Sequence, residues 1–192
     1  MAEPPRASRP FAVRSYASYA GRMTTIIRSA RSCDADAVER IENDADQLLI
    51  DHLHADVWAP AAHGSARLAE SGFLLVAEVE GEIAGFVHVL EVDGTCHLEQ
   101  LSVRPVSSQR GLGRALVEAA KNRARERGYD RISLRTYADV PWNAPFYATV
   151  GFLEEEPATP FHRSLIEAEA QHGLDRYGRR VQMSAPLGHP RQ

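Results

Sequence analysis

Apolar positions along the chain recur with two periods, and each change of period marks a new element. Thr24 to Arg28 is rich in β-branched residues and predicts a first strand. Val38, Ile41, Ala45 and Leu48 then fall at helical spacing, behind Asp34 and Asp36 as N-cap candidates. Asp36 with Glu39 has the form of a capping box, and the helix is expected to run to about Ile50. Residues 51–71, with Trp58, Pro60 and Gly64, lose the period, which predicts a second, broken helix and a mobile loop. Three apolar runs follow: Phe73 to Val79, Ile83 to Glu91 and His97 to Val103. Glu80-Gly81 and Asp93-Gly94 separate them, as expected of an antiparallel meander with tight turns. Leu112, Ala115, Leu116, Ala119 and Ala120 restore the helical period up to a stop at Gly128. Arg131 to Tyr137 reads as a strand, so strand, helix and strand in succession imply a parallel pair with a right-handed crossover. Pro141 is read as opening a short helix that Gly151 ends. Phe152 to Glu154 predicts a strand, Pro160 to Gly173 a helix, and Arg180 to Ser184 a last strand. The reading is one mixed α/β (α+β) domain over residues 24–192, built on a mostly antiparallel sheet.

Residues 1–22 differ in kind. They hold Arg6, Arg9, Arg14 and Arg22 among Ser, Ala, Tyr and Pro, a composition like that of a transit peptide. They show neither helical nor strand period, so the plainer reading is a disordered tail, or an upstream start with Met23 as the true beginning.

A length of 192 residues favours one domain, and 44% hydrophobic with 25% charged residues is ordinary globular usage. A net charge of −4 argues against general nucleic-acid binding. No apolar run approaches the roughly 18 residues of a membrane span, so no membrane role and a cytoplasmic location are inferred. Cys33 and Cys96 lack metal-ligand spacing, which predicts buried, inert thiols and no metal site.

The chemistry begins at Ser108-Gln109-Arg110-Gly111-Leu112-Gly113-Arg114, between a strand and an amphipathic helix. The two glycines allow a tight turn, and the first helical turn leaves amides without internal partners. Those donors and the helix dipole suit a phosphate. The dipole itself contributes only about 0.3–1 kcal/mol, so charge-assisted N–H bonds must supply the rest. A Walker loop would need Gly-Lys-Ser/Thr, and a dinucleotide fingerprint would need a third glycine at Leu116.

With this loop in view the sequence resembles the GNAT superfamily of N-acetyltransferases, whose pattern here is Gln/Arg-x-x-Gly-x-Gly/Ala. Gly111 and Gly113 match, whereas Ser108 stands where the family has Gln or Arg. A second match is Phe146-Tyr147-Ala148-Thr149-Val150-Gly151-Phe152, although Val140 stands where the family has Asn. The Glu82–Phe86 segment is similar to the family's second and third strands. The resemblance covers about residues 24–153.

The resemblance implies a GNAT-like sheet with helices on both faces and acetyl-CoA as co-substrate. Its pantetheine arm would enter between parted strands His97–Val103 and Arg131–Tyr137. Leu101, Ser102 and Val103 would lie beside the thioester. Gln109, Arg110, Gly111, Leu112, Gly113 and Arg114 would hold the diphosphate, with Asn143 as a further contact. Direct acetylation needs a neutral amine, and deprotonating an alkyl ammonium at pH 7 costs about 4.6 kcal/mol. Glu99 is the first candidate base, since it alternates with Leu101 and Val103 near the expected thioester. Glu42 and His63 are weaker candidates. Tyr147 is the candidate acid for the departing thiolate.

Phe146 and Phe152 read as core, Trp142 as either core or pocket wall. His162, His172 and His189 read as solvated surface, and Glu154-Glu155-Glu156 as a solvated edge. The expected partner is an amine, small molecule or peptide; polyamines, amino acids, aminoglycoside-like amines and protein N-termini all stay open. Exchange of strand or tail contacts would permit a homodimer. Two other readings keep the fold without the reaction: an acyl-CoA-binding sensor, and an interaction protein that binds no CoA.

Overall fold

The computed structural model describes residues 14–17 and 24–188. Strands β1 (Arg14–Ala17), β2 (Thr24–Ser29), β3 (Gly72–Val79), β4 (Glu82–Val92), β5 (Thr95–Val103), β6 (Arg131–Tyr137), β7 (Leu153–Glu154) and β8 (Arg180–Pro186) form one sheet. Its order is β1-β2-β3-β4-β5-β6-β8-β7. Helices α1 (Ala35–Leu53), α2 (Gly64–Ala69), α3 (Leu112–Glu126), α4 (Ala144–Thr149) and α5 (Pro160–Gln171) cover it. Among the described residues no helix is long and apolar enough to cross a membrane.

The meander forms as its turns dictate. Glu80 and Gly81 both have positive φ, as do Asp93 and Gly94, the backbone that a two-residue hairpin needs to match strand twist. Adjacent residues of β4 face opposite ways. Val87 joins a core with Leu116, Ala120, Ile132 and Leu134 under α3. Phe86 joins a smaller core with Val38 and Ile41 of α1. Helices therefore lie on both faces, as the family resemblance implied.

β5 and β6 form the sheet's parallel pair, joined through α3, and pair only at His97 with Ser133 and Leu98 with Leu134. Beyond those residues the strands part. β8 then pairs antiparallel with β6 along its whole length, between β6 and β7.

Several expectations shift. Arg14–Ala17 pairs antiparallel with β2, inside a stretch where the sequence shows no strand period. Pro141 does not open a helix: α4 starts at Ala144, with Pro145 in its first turn. The Asp36–Glu39 capping box does not form either. The Asp34 carboxylate instead accepts from the Arg31 amide at 2.7 Å and pairs with Arg28 at 2.7 Å. Leu48 is 46% exposed, and Leu49 is the α1 leucine that turns toward the cleft described below.

Candidate active site

The α3 mouth is a tight turn that leads straight into the helix. Gly111 is the N-cap residue at φ 79°, ψ 3°, a backbone that a Cβ would strain. Gln109 also has positive φ, at 60°. Among the described residues the amides of Gly111, Leu112, Gly113 and Arg114 donate to no backbone carbonyl; the first such bond runs from Ala115 to the Gly111 carbonyl, at 3.0 Å. The side chains behave differently from the backbone. Arg114 turns away and donates to the Thr149 carbonyl at 3.1 Å and its hydroxyl at 2.9 Å. The Ser108 hydroxyl donates to the Pro105 carbonyl at 2.8 Å, so the residue that departs from the family pattern is occupied locally. A Cβ built on Gly113 would lie 3.6 Å from Phe146 and 4.0 Å from Val103, which sets the mouth against α4 and the end of β5.

Where β5 and β6 part, a cleft of about 400 Å³ opens between α1 and α5. Leu101, Ser102, Glu99, Asn143 and Tyr147 all line it. Val103 and the residues of the α3 mouth lie outside its lining. The edge of Glu99–Val103 that faces β6 has no strand partner, because the parallel pairing ends at Leu98.

Glu99 enters the cleft for a reason that alternation alone does not give. His88 pairs with Gln100 and Val89 with Leu98, which leaves Glu99 as the extra residue of a bulge. A bulge re-aims its side chain and breaks the simple two-residue period. About a third of the Glu99 side chain is open to the cleft, while protein surrounds the rest. Burial raises its carboxyl pKa, and the charge of Arg67 opposes that rise. A poised, partly desolvated carboxylate of this kind suits a general base.

Glu42 is held by an ion pair and lies outside the cleft lining. Arg67 donates to both of its oxygens, the Nε bond at 2.6 Å, and both side chains are at least 90% buried. His88 approaches the same guanidinium at 3.4 Å, and burial, then the Arg67 charge, lowers its pKa to about 4. His63 lies at the surface against Glu39, at 3.3 Å.

Sequence reasoning missed Asp46. It stands one turn after Glu42 on α1, lines the cleft, and accepts from the Trp58 indole at 3.3 Å. Burial, then the Glu42 charge, raises its pKa to about 6. The sequence carries no signal for it, because an acidic residue on a mostly exposed helix looks solvated until Trp58 folds back over it.

Tyr147 is 8% exposed and packs edge-on against Phe146 and Phe152, with ring centroids 5.2 and 5.6 Å away. Burial pushes its phenol pKa up, against the charge of Arg180. The Asn143 carbonyl accepts from the Tyr147 amide at 2.9 Å, holding the first turn of α4 in the cleft wall. Trp142 is wall rather than core: it is 45% exposed, lines the cleft and meets His52 edge-on at 4.9 Å.

Other expectations are corrected here. His162 is 5% exposed, not solvated, and hydrogen-bonds Ser133, which also bonds His97. His172 is exposed but lines the cleft. His189 lies outside the described residues. Cys33 is exposed, whereas Cys96 is buried as expected. The acidic run is partly paired, Glu154 with Arg179 and Glu155 with Arg131.

Comparison with known proteins bears on this geometry. Residues 35–152 match the acetyltransferase (GNAT) family. A mycothiol acetyltransferase of Clavibacter sepedonicus is 34% identical over 104 residues, 51% of this chain and 34% of that protein, so the match spans about a third of that relative's length. The ribosomal-protein-S18-alanine N-acetyltransferase from Escherichia coli superposes with a TM-score of 0.62 at 22% identity, covering 88% of this chain and 97% of the other. N-acetylglutamate synthase from Neisseria gonorrhoeae, complexed with coenzyme A and N-acetyl-glutamate, gives 0.64 at 15% identity, covering 86% of this chain and 35% of that one. The structural likenesses speak for the fold. The family match runs from α1 to the residue before β7, taking in the parted strands and the α3 mouth, and on it the chain belongs to the GNAT family of acetyltransferases.

Proposed function

We propose that this protein transfers the acetyl group of acetyl-CoA directly to a primary amine of a small molecule or peptide. The observation that carries this reading is the parting of β5 and β6, which opens one cleft holding both Glu99 and Tyr147.

The residues fit the co-substrate. The α3 mouth offers the amides of Gly111, Leu112, Gly113 and Arg114 to a diphosphate. Gln109, at positive φ, and Arg110 complete that turn, whereas the Arg114 side chain serves α4. The free edge of β5 at Leu101, Ser102 and Val103 offers backbone groups to the pantetheine amides, as an added strand would. Acetyl-CoA supplies an activated acyl group; the chain supplies position and protons. Glu99 takes a proton from the incoming ammonium, directly or through a cleft water. Asp46 supplies a second carboxylate to the cleft lining, which favours a cationic acceptor.

Tyr147 acts on the leaving group mainly as a hydrogen-bond donor. A phenol raised above its usual value of about 10 holds its proton more tightly than a thiol of about 8.5. Complete transfer to a thiolate therefore runs uphill, while a directed O–H bond still stabilises the developing charge.

Steady-state CoA release with an amine panel tests the assignment. Glu99→Gln is expected to lower kcat/KM by about 100-fold and to flatten its rise with pH, since the base must be deprotonated. Tyr147→Phe is expected to lower kcat by about 100-fold with little change in KM. Tight acetyl-CoA binding with no turnover of any amine would instead identify a sensor.

A further inference from the structure

The cleft has two charged walls, and only one is used above. Asp46 and Glu99 stand on the α1 and β5 side. On the β6, β8 and α5 side, Arg135 donates to both oxygens of Glu169, at 2.9 and 2.7 Å. Arg180 donates to the same carboxylate at 2.7 Å. All three side chains are largely buried and all three line the cleft.

We infer that the acceptor carries a carboxylate as well as its amine, and that Arg180 with Arg135 binds that carboxylate. The inference rests on the acetyl-transfer reading. It begins from an imbalance on that wall: one carboxylate is in contact with two guanidiniums, which leaves the wall with an excess positive charge. Burial works to raise the Glu169 pKa, yet the two arginines overcome it and hold the carboxyl below its usual range, so the imbalance is not relieved by protonation. Each guanidinium carries five N–H donors, and Glu169 accepts two bonds from Arg135 and one from Arg180. The Arg180 Nε is enclosed by protein and has no partner, so it adds to the uncompensated charge without itself facing a ligand. A guanidinium drawn out of water and left short of acceptors is costly, and a ligand carboxylate, planar and able to take paired N–H bonds, offsets that cost.

Position argues the same way. The Tyr137 ring lies 4.5 Å under the Arg180 guanidinium, its cross-strand neighbour, and fixes it at the cleft wall. The charge of Arg180 is felt at both Glu99 and Tyr147, so an anion bound there shares the cleft with the reacting amine. Trp58, Leu165 and Leu174 add apolar surface to the lining. An aminocarboxylate, such as an amino acid or short peptide, matches this layout with its ammonium toward Glu99 and Asp46.

The test compares α-, β- and γ-amino acids and dipeptides with their own carboxamides, at saturating acetyl-CoA. A preference of about 10- to 100-fold in kcat/KM for the free carboxylate is expected, carried by KM. Arg180→Gln should collapse that ratio, and Arg180→Lys should keep part of it. Because Arg180→Gln could fail to fold, calorimetry on the wild-type CoA complex reads the same preference without turnover, as tighter binding of N-acetyl amino acids than of their amides. Equal or absent binding of the two, or equal acetylation of carboxamides, overturns the inference and leaves acetyl transfer standing. Failure of the wild-type protein to bind acetyl-CoA overturns the parent reading and this one together.

Discussion

Asp46 joins the electrostatics of the cleft to the stability of the fold. With a pKa near 6 in the folded protein and about 3.9 in an unfolded chain, it binds more protons when folded between those values. Stability therefore falls as pH rises from about 4 through 6, and the penalty is fully present at neutral pH. Asp46→Asn removes the charge and keeps an oxygen for the Trp58 indole. Denaturant unfolding should show the variant more stable by about 1–2 kcal/mol at neutral pH, with the gain gone at about pH 4. The same variant should raise KM for a cationic acceptor, a site residue kept at a cost to stability. Equal unfolding midpoints at neutral pH would remove Asp46 from the list of destabilised site groups. At this scale, legibility depended on the kind of signal. Tyr147 stood out in the sequence because it sits in a short motif on a local helix. Glu99 was chosen on alternation, but the bulge is what aims it. Asp46, Arg135 and Arg180 were invisible, because their meaning comes from Trp58, Glu169 and Tyr137, which are distant in sequence.

At the scale of elements, the long periodic stretches were readable to within a few residues. β6 spans Arg131–Tyr137 as read, and α3 runs from Leu112 to Glu126, just short of the stop at Gly128. Short elements gave a mixed result: the strand read at Phe152–Glu154 is β7 at Leu153–Glu154, whereas Pro141 suggested a helix start that belongs to Ala144, since local preference is weak over one turn. The α3 mouth offers a way to separate backbone geometry from charge. A Cβ on Gly111 would meet nothing within 4 Å but would be held at φ 79°. Gly111→Ala and Gly111→Asp should thus share a similar strain of about 1 kcal/mol. Only the aspartate brings an anion to the amides proposed to hold a diphosphate. Calorimetry should show CoA affinity falling at least about tenfold further in Gly111→Asp than in Gly111→Ala. Pantetheine, which lacks the diphosphate, should bind both variants alike. Equal losses of CoA affinity in the two variants would mean that the mouth does not hold the diphosphate.

For the molecule as a whole, the sheet behaves as two parts joined at a narrow seam. β1 to β5 form a continuous antiparallel run, β6 to β8 a second, and only the residues His97, Leu98, Ser133 and Leu134 make the parallel pairing between them. The order of the second part was beyond the sequence, which indicates strands at Phe152–Glu154 and Arg180–Ser184 but not that β8 inserts between β6 and β7. That insertion brings Arg180 beside Tyr137 and lets α5 close one side of the cleft. A ligand that adds backbone bonds along the free edge of β5 would bind across the seam, and its effect on hydrogen exchange should be local. CoA is expected to slow exchange at Gln100–Val103 and in the first turn of α3, the amides a ligand would engage or shield. Exchange in β2 and β3, which are paired with neighbouring strands on both sides over most of their length, should change little. Uniform protection across all strands would instead indicate only the global gain in stability that any tight ligand confers. It would leave the seam without a special role in binding.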